Sequence, residues 1–158
     1  MTSNPFTLRS DLDLLETFRK NEQKSVVLPK DAPYPISVKH YYAFTEPSGV
    51  YTYLVFKRAD WEAPLGLIFQ RNGSGSTSSP AGMCDWCHHS GPSDEVGLLT
   101  TSVNAHVTGG NWLCLDLSCL QRIEARTGSA AKHVDKLTQK LCKKIGEFYQ
   151  RVRIDENR

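Results

Sequence analysis

Hydrophobic positions along the chain change period three times, and each change marks an element. Residues 10–20 follow a helical pattern, with Leu12, Leu15 and Phe18 on one face and Leu8 one turn earlier. Ser10 and Asp13 fit a cap at its start. Residues 21–35 are polar and carry prolines, so they read as loop. From Ile36 the period falls to two, through Val38, His40, Tyr42 and Phe44, which predicts a strand. The "EPSG" at 46–49 is a turn, and "VYTYLVFKR" is apolar on both faces, as a central strand is. "LGLIF" at 65–69 completes an antiparallel meander. "RNGSGSTSSPAG", residues 71–82, reads as a flexible loop without the Gly-Lys-Ser/Thr ending of a phosphate cradle.

Beyond that loop, "VGLLTTSV", the turn "NAHVTGG" and "NWLCL" form a hairpin. "DLSCLQRIEAR" begins a helix with Asp116 as N-cap and Gly128 as its end. In the last helix, about 129–152, Val134, Leu137, Leu141, Ile145, Phe148 and Val152 share one face. The expected class is α+β: a small antiparallel sheet with a four-cysteine metal module and flanking helices. The expected organisation is a single domain over 1–158. It comprises an N-terminal helix and loop (1–32), the meander with its Gly/Ser loop (33–82), and the metal module with the C-terminal helices (83–152).

Composition narrows the function classes. Hydrophobic residues at 39% and charged residues at 23% of 158 suit a packed core rather than disorder. No apolar run is long enough for a transmembrane helix. "MTSNPFTLRSDLDLL" reads as neither a secretory signal nor a transit peptide, so a cytoplasmic location and no membrane partner are expected. A net charge of +2 says little, but Lys132, Lys136, Lys140, Lys143, Lys144, Arg151 and Arg153 stand against only Asp135 and Glu147 in the last helix.

The cysteines carry the chemistry. Cys84 and Cys87 form C-x2-C; after 26 intervening residues Cys114 and Cys119 form C-x4-C. Four thiolates so paired can enclose one Zn²⁺ at about 2.3 Å. The second pair straddles a strand end and a helix start, which points to a treble clef. A redox dithiol would need a βαβ setting, which is missing. His88 and His89 are surplus beside four cysteines. Four sulfurs close the metal site, and no catalytic carboxylate pair, nucleophile elbow or deaminase signature accompanies it, so no enzyme is expected. Cys142, beside Leu141 on the last helix, reads as a small buried hydrophobe.

"GMCDWC", "GNWLCLDLSC" leading into a helix, and "GEFYQRV" resemble the C-terminal domain of elongation-factor-G-binding proteins, the FusB-type fusidic acid resistance proteins and their relatives. The resemblance covers roughly residues 36–152 and is strongest from Gly82 to Glu124. It implies one structural zinc at Cys84, Cys87, Cys114 and Cys119. It also implies a non-enzymatic protein that binds the C-terminal domains of elongation factor G and promotes release of the factor from the ribosome; a monomer is expected. The family's contact surface falls on Met83, where the family has an aromatic, on Trp112, and on Phe148 or Tyr149. A basic residue of that surface falls on Gly109. The basic last helix sets a second expectation beside this one: contact with ribosomal RNA or the ribosome.

Overall fold

The computed structural model describes residues 3–72, 82–104, 107–127 and 131–154. The centre is a five-stranded antiparallel sheet in the order β3 (Tyr41–Thr45), β4 (Tyr51–Phe56), β5 (Leu65–Asn72), β8 (Val96–Ser102) and β9 (Thr108–Cys114). Two short pairs flank it: β1 (Phe6–Leu8) with β2 (Ile36–Val38), and β6 (Gly82–Met83) with β7 (Ser90–Gly91). The helices are α1 (Asp11–Glu16), α2 (Cys119–Thr127) and α3 (Ala131–Tyr149), and α3 runs on into a π turn at Gln150–Ile154. The mixed, antiparallel class and the meander are as the sequence predicts.

Alternation along β4 explains the layering. Leu54 and Phe56 face one side of the sheet and join Leu67, Phe69, Leu99 and Leu113 against α3. Tyr53 and Val55 face the other side and meet Leu8, Leu14, Phe18 and Val38. Residues 53–56 of this strand are all fully buried, which is why its sequence is apolar on both faces. The two layers are clasped by arginines. Arg19 donates to the carbonyls of Ser102 (2.9 Å) and Val152 (3.0 Å), and Arg153 donates to that of Gly66 (2.7 Å).

Several boundaries differ from the sequence reading. The first helix has six residues only. Ser10 caps it as expected, accepting from the Asp13 N–H at 3.2 Å. At its end Thr17 N–H and Phe18 N–H turn back to the carbonyls of Leu14 and Leu15, a tightening that stops propagation. The inward face is Leu14, Thr17 and Phe18, while Leu12 is 60% exposed, because a helix this short has no long stripe to obey. The strand expected from Ile36 to Phe44 is two strands: β2 pairs with β1, and β3 pairs with β4. Period two marks extended chain but not the partner it pairs with. Another lies at α2, which starts at Cys119 rather than after an Asp116 cap. Leu117 sits at φ +56°, which no helix tolerates, and Asp116 Oδ1 instead accepts from the N–H and hydroxyl of Ser118. Gly128, and the Gly/Ser loop apart from Arg71, Asn72 and Gly82, lie outside the described residues.

The last helix keeps its predicted face. Leu141, Ile145, Phe148 and Val152 are buried, and Leu137 is packed against the same core. Cys142 is buried there too, 2% exposed, and burial pushes its thiol pKa up. Among the described residues no helix is long and apolar enough to cross a membrane.

Candidate metal centre

The first cysteine pair lies in the turn that joins β6 to β7. The Cys84 N–H bonds the His89 carbonyl, and the His88 N–H returns to the Cys84 carbonyl, each at 2.9 Å. His88 closes this turn at φ +63°. The turn aims the N–H groups of Trp86 and Cys87 at Cys84 Sγ, at 3.4 and 3.5 Å. Such donors favour the thiolate over the thiol. The second pair repeats the device at the end of β9. The Leu117 N–H bonds the Cys114 carbonyl at 2.9 Å, and the left-handed Leu117 swings the chain so that Cys119 opens α2. A helix N-terminus supplies N–H groups and a positive dipole end, both of which favour thiolate.

These two local turns bring all four sulfurs within 4.8 Å of one another. Cys84 and Cys119 stand 3.7 Å apart, and Cys87 and Cys114 3.6 Å apart. A tetrahedron of about 2.3 Å Zn–S bonds has an edge of about 3.8 Å, so the set fits Zn²⁺. A disulfide would need about 2.05 Å. All four side chains are buried. Without a cation the thiols are in conflict. Hydrogen bonds from neighbouring thiols, Cys114 first, hold Cys84 far below the usual thiol range, and the same cluster, again Cys114 first, drives Cys119 far above it. A divalent cation at the centre removes that conflict, because it stabilises all four as thiolates.

Three other residues fix this cluster to the sheet, and local sequence pattern marks none of them. The Tyr41 hydroxyl donates to the Leu117 carbonyl at 2.6 Å and accepts from the Leu120 N–H at 3.1 Å. One phenol thus ties β3 to the second turn and to α2. Burial, then the nearby Cys119 sulfur, raises its pKa well above the ordinary value, so it remains a donor. Asp85 spans the two halves: its N–H bonds the Trp112 carbonyl at 2.7 Å, and its Oδ2 accepts from the Trp112 N–H at 3.1 Å. Lys144 Nζ reaches over from α3 to the carbonyls of Asp85 (3.2 Å) and Trp86 (3.5 Å). It also lies 3.1 Å from His88 Nε2, while His89 Nε2 lies 3.0 Å from Arg122 Nη1. Both histidines stand outside the four-sulfur set.

The residues expected at a partner surface divide. Met83 is 51% exposed and Trp112 is 46% exposed, both beside the cysteine cluster. The Trp112 ring rests over Gly82, where a Cβ would stand 3.0 Å from it, so one ring face is seated on backbone. Phe148 and Tyr149 are a correction to the expected surface, because both are buried. Phe148 stacks on Phe69 at 5.7 Å and meets Trp86 edge-on at 5.8 Å. The Tyr149 hydroxyl donates to the Leu54 carbonyl at 2.9 Å. They join the sheet to α3 and to the metal turn, and neither side chain faces solvent.

Gly109, where the resembling family has a base, backs onto the end of α3. A Cβ at this position would stand 2.9 Å from Val152 Cγ1. Gly109→Ala is therefore expected to destabilise by about 1–3 kcal/mol through overpacking. A thermal melt reads this as a midpoint lower by several degrees, and an unchanged midpoint would show that Val152 can move aside.

A family model described as "FBP C-terminal treble-clef zinc-finger" matches residues 14–154. No curated protein and no solved structure matches the chain. The match spans nearly the whole sequence and includes both cysteine pairs, whose clustering supports one structural Zn²⁺. A hairpin turn, a second hairpin and a helix that opens on the last cysteine are the parts of a treble clef, and the chain belongs to the FBP C-terminal treble-clef zinc-finger family.

Proposed function

We propose that this chain is a non-enzymatic protein-binding module that binds elongation factor G and promotes its release from the ribosome. The observation that carries this reading is Trp112. It is a large aromatic left 46% exposed, yet its backbone is bonded in both directions to Asp85 inside the metal turn. Exposed, rigidly held Trp is the usual energetic centre of an interface. Zinc acts here on shape alone: it fixes the turn that holds Asp85, and Asp85 fixes Trp112. Met83 extends the same surface, directly before Cys84. With Phe148 and Tyr149 in the core, the contact is centred on Met83 and Trp112. Four sulfurs fill the tetrahedron, leaving no coordination position for a substrate.

Calorimetric titration of the zinc-loaded protein with purified elongation factor G, at two salt concentrations, tests this. Near one-to-one binding is expected. Trp112→Ala should weaken it about 30-fold or more, as loss of a central anchor does, and Met83→Ala less so. An absence of heat with zinc bound would overturn the reading.

Contact with ribosomal RNA is a second reading. It rests on Lys136, Lys140 and Lys143, which lie exposed at helical spacing on α3. Lys144 and Arg153 are not part of that stripe, because both are turned to backbone carbonyls. RNA binding would weaken log-linearly with salt, and a flat response would reject it.

A further inference from the structure

The strand β9 is the outer strand of the five-stranded sheet, and its inner side is paired with β8 from Ser102↔Thr108 to Val96↔Cys114. In an antiparallel pair, every second residue turns its N–H and C=O away from its neighbour. Two bonds fix the phase. Trp112 sends both groups outward to Asp85, while the Val103 N–H reaches inward to the Val107 carbonyl at 2.8 Å. Gly110 and Thr108 are in phase with Trp112, so their N–H and C=O groups point out of the sheet. Both residues are exposed, and among the described residues none bonds to these four groups.

Bare edges are normally guarded by Lys, Pro, a bulge or an inward charge. The run Val107-Thr108-Gly109-Gly110-Asn111-Trp112 has no lysine, proline or acid, and its register with β8 is unbroken. Apolar side chains mark both ends, Val107 at 50% and Trp112 at 46% exposure. The four groups at Thr108 and Gly110 need no side-chain chemistry at all: what they complement is the main chain of an extended peptide.

We propose that the β9 edge at Thr108 and Gly110 accepts an extended segment of the elongation factor as an added strand, with Trp112 as the apolar anchor at one end. This rests on the function proposed above and specifies the chemistry of recognition. The edge reads backbone, and Trp112 selects an apolar residue at one position of the segment. Asp85 already fills the edge at Trp112, so the window is short, about three residues of added strand.

Amide hydrogen exchange on the zinc-loaded protein, free and saturated with elongation factor G, tests this directly. The Thr108 and Gly110 amides are expected to slow about tenfold or more in the complex; unchanged rates would overturn the proposal. Thr108→Pro removes one outward N–H from an edge position where proline is tolerated. It should weaken binding about tenfold, while Thr108→Ala should stay within about twofold of wild type. Equal affinity of the proline variant and wild type would also overturn it. Wild-type binding with unaltered amides rejects the edge and leaves the proposed function standing, whereas no wild-type binding rejects both. A dimer of the free chain that Thr108→Pro abolishes would assign the edge to a second copy and reject the elongation factor as its occupant.

Discussion

Removing the zinc with a strong chelator is expected to abolish the native state rather than merely loosen one loop. Zinc in four-cysteine modules contributes about 10–16 kcal/mol of apparent free energy. A domain's whole stability is only about 5–15 kcal/mol. The cluster is also not a separate lobe. Cys84, Cys87, Cys114 and Cys119 belong to the same buried set as Leu54, Phe69, Ile145 and Phe148. Loss of the metal leaves four buried sulfurs with nothing to hold them together in that core, and Trp86, Leu117 and Val96 lose their positions with them. Circular dichroism and a thermal melt, with and without chelator, measure this. A chelated sample that melts within a few degrees of the holo form would mean that the sheet and α3 carry the stability alone. Cys84→Ser and Cys119→Ser should approach the chelated state, Cys119 being the ligand at the start of α2. Acid acts in the same direction. Four thiolates must be deprotonated to hold the metal, so stability is present at neutral pH and is lost as falling pH returns protons to sulfur and releases zinc.

Phe148→Ala is expected to cost about 3–5 kcal/mol, the range for a buried aromatic replaced by alanine. In a chain of this size that lowers the melting midpoint by roughly 6–20 °C. The ring joins three parts at once: Phe69 on the sheet, Trp86 in the metal turn, and Arg151, whose guanidinium lies 5.4 Å from its centroid. The experiment separates core from surface. A core residue gives a large fall in the midpoint, and any loss of partner binding follows from unfolding. A contact residue would give weaker binding with an unchanged midpoint, and that outcome would return Phe148 to the interface. Trp112→Ala should behave in the opposite way, losing affinity with little change in stability.

The contrast between these two aromatics shows what the sequence carries. The cysteine spacing was legible because each pair closes a local turn, and local turns are what spacing encodes. Phe148 was legible twice, with opposite meanings. Resemblance placed it near a contact surface, whereas helical periodicity placed it on the buried stripe with Leu141, Ile145 and Val152, and burial follows the stripe. The roles of Tyr41 and Asp85 were not legible. Tyr41 bonds a carbonyl 76 residues away, and Asp85 bonds a strand 27 residues away. No pattern within one element reports such a partner. The division of residues 36–45 into two strands is hidden from the sequence for the same reason. Alternation survives the break at Lys39 and His40, while the pairing partner changes from β1 to β4.

The bond between Asp85 and Trp112 has a consequence for how this surface can change over generations. It uses only the main chain of residue 112, an N–H and a C=O. Any residue except proline offers both groups. The fold therefore holds position 112 in place whatever side chain stands there, and Met83, paired with Ser90 through a strand ladder, is held in the same manner. Mutation at these two sites can sample new partners with little penalty in folding. Gly109, three residues away but pressed against Val152, has no such latitude. Drift in binding preference is thus channelled to the side chains beside the zinc, while the frame that presents them stays fixed.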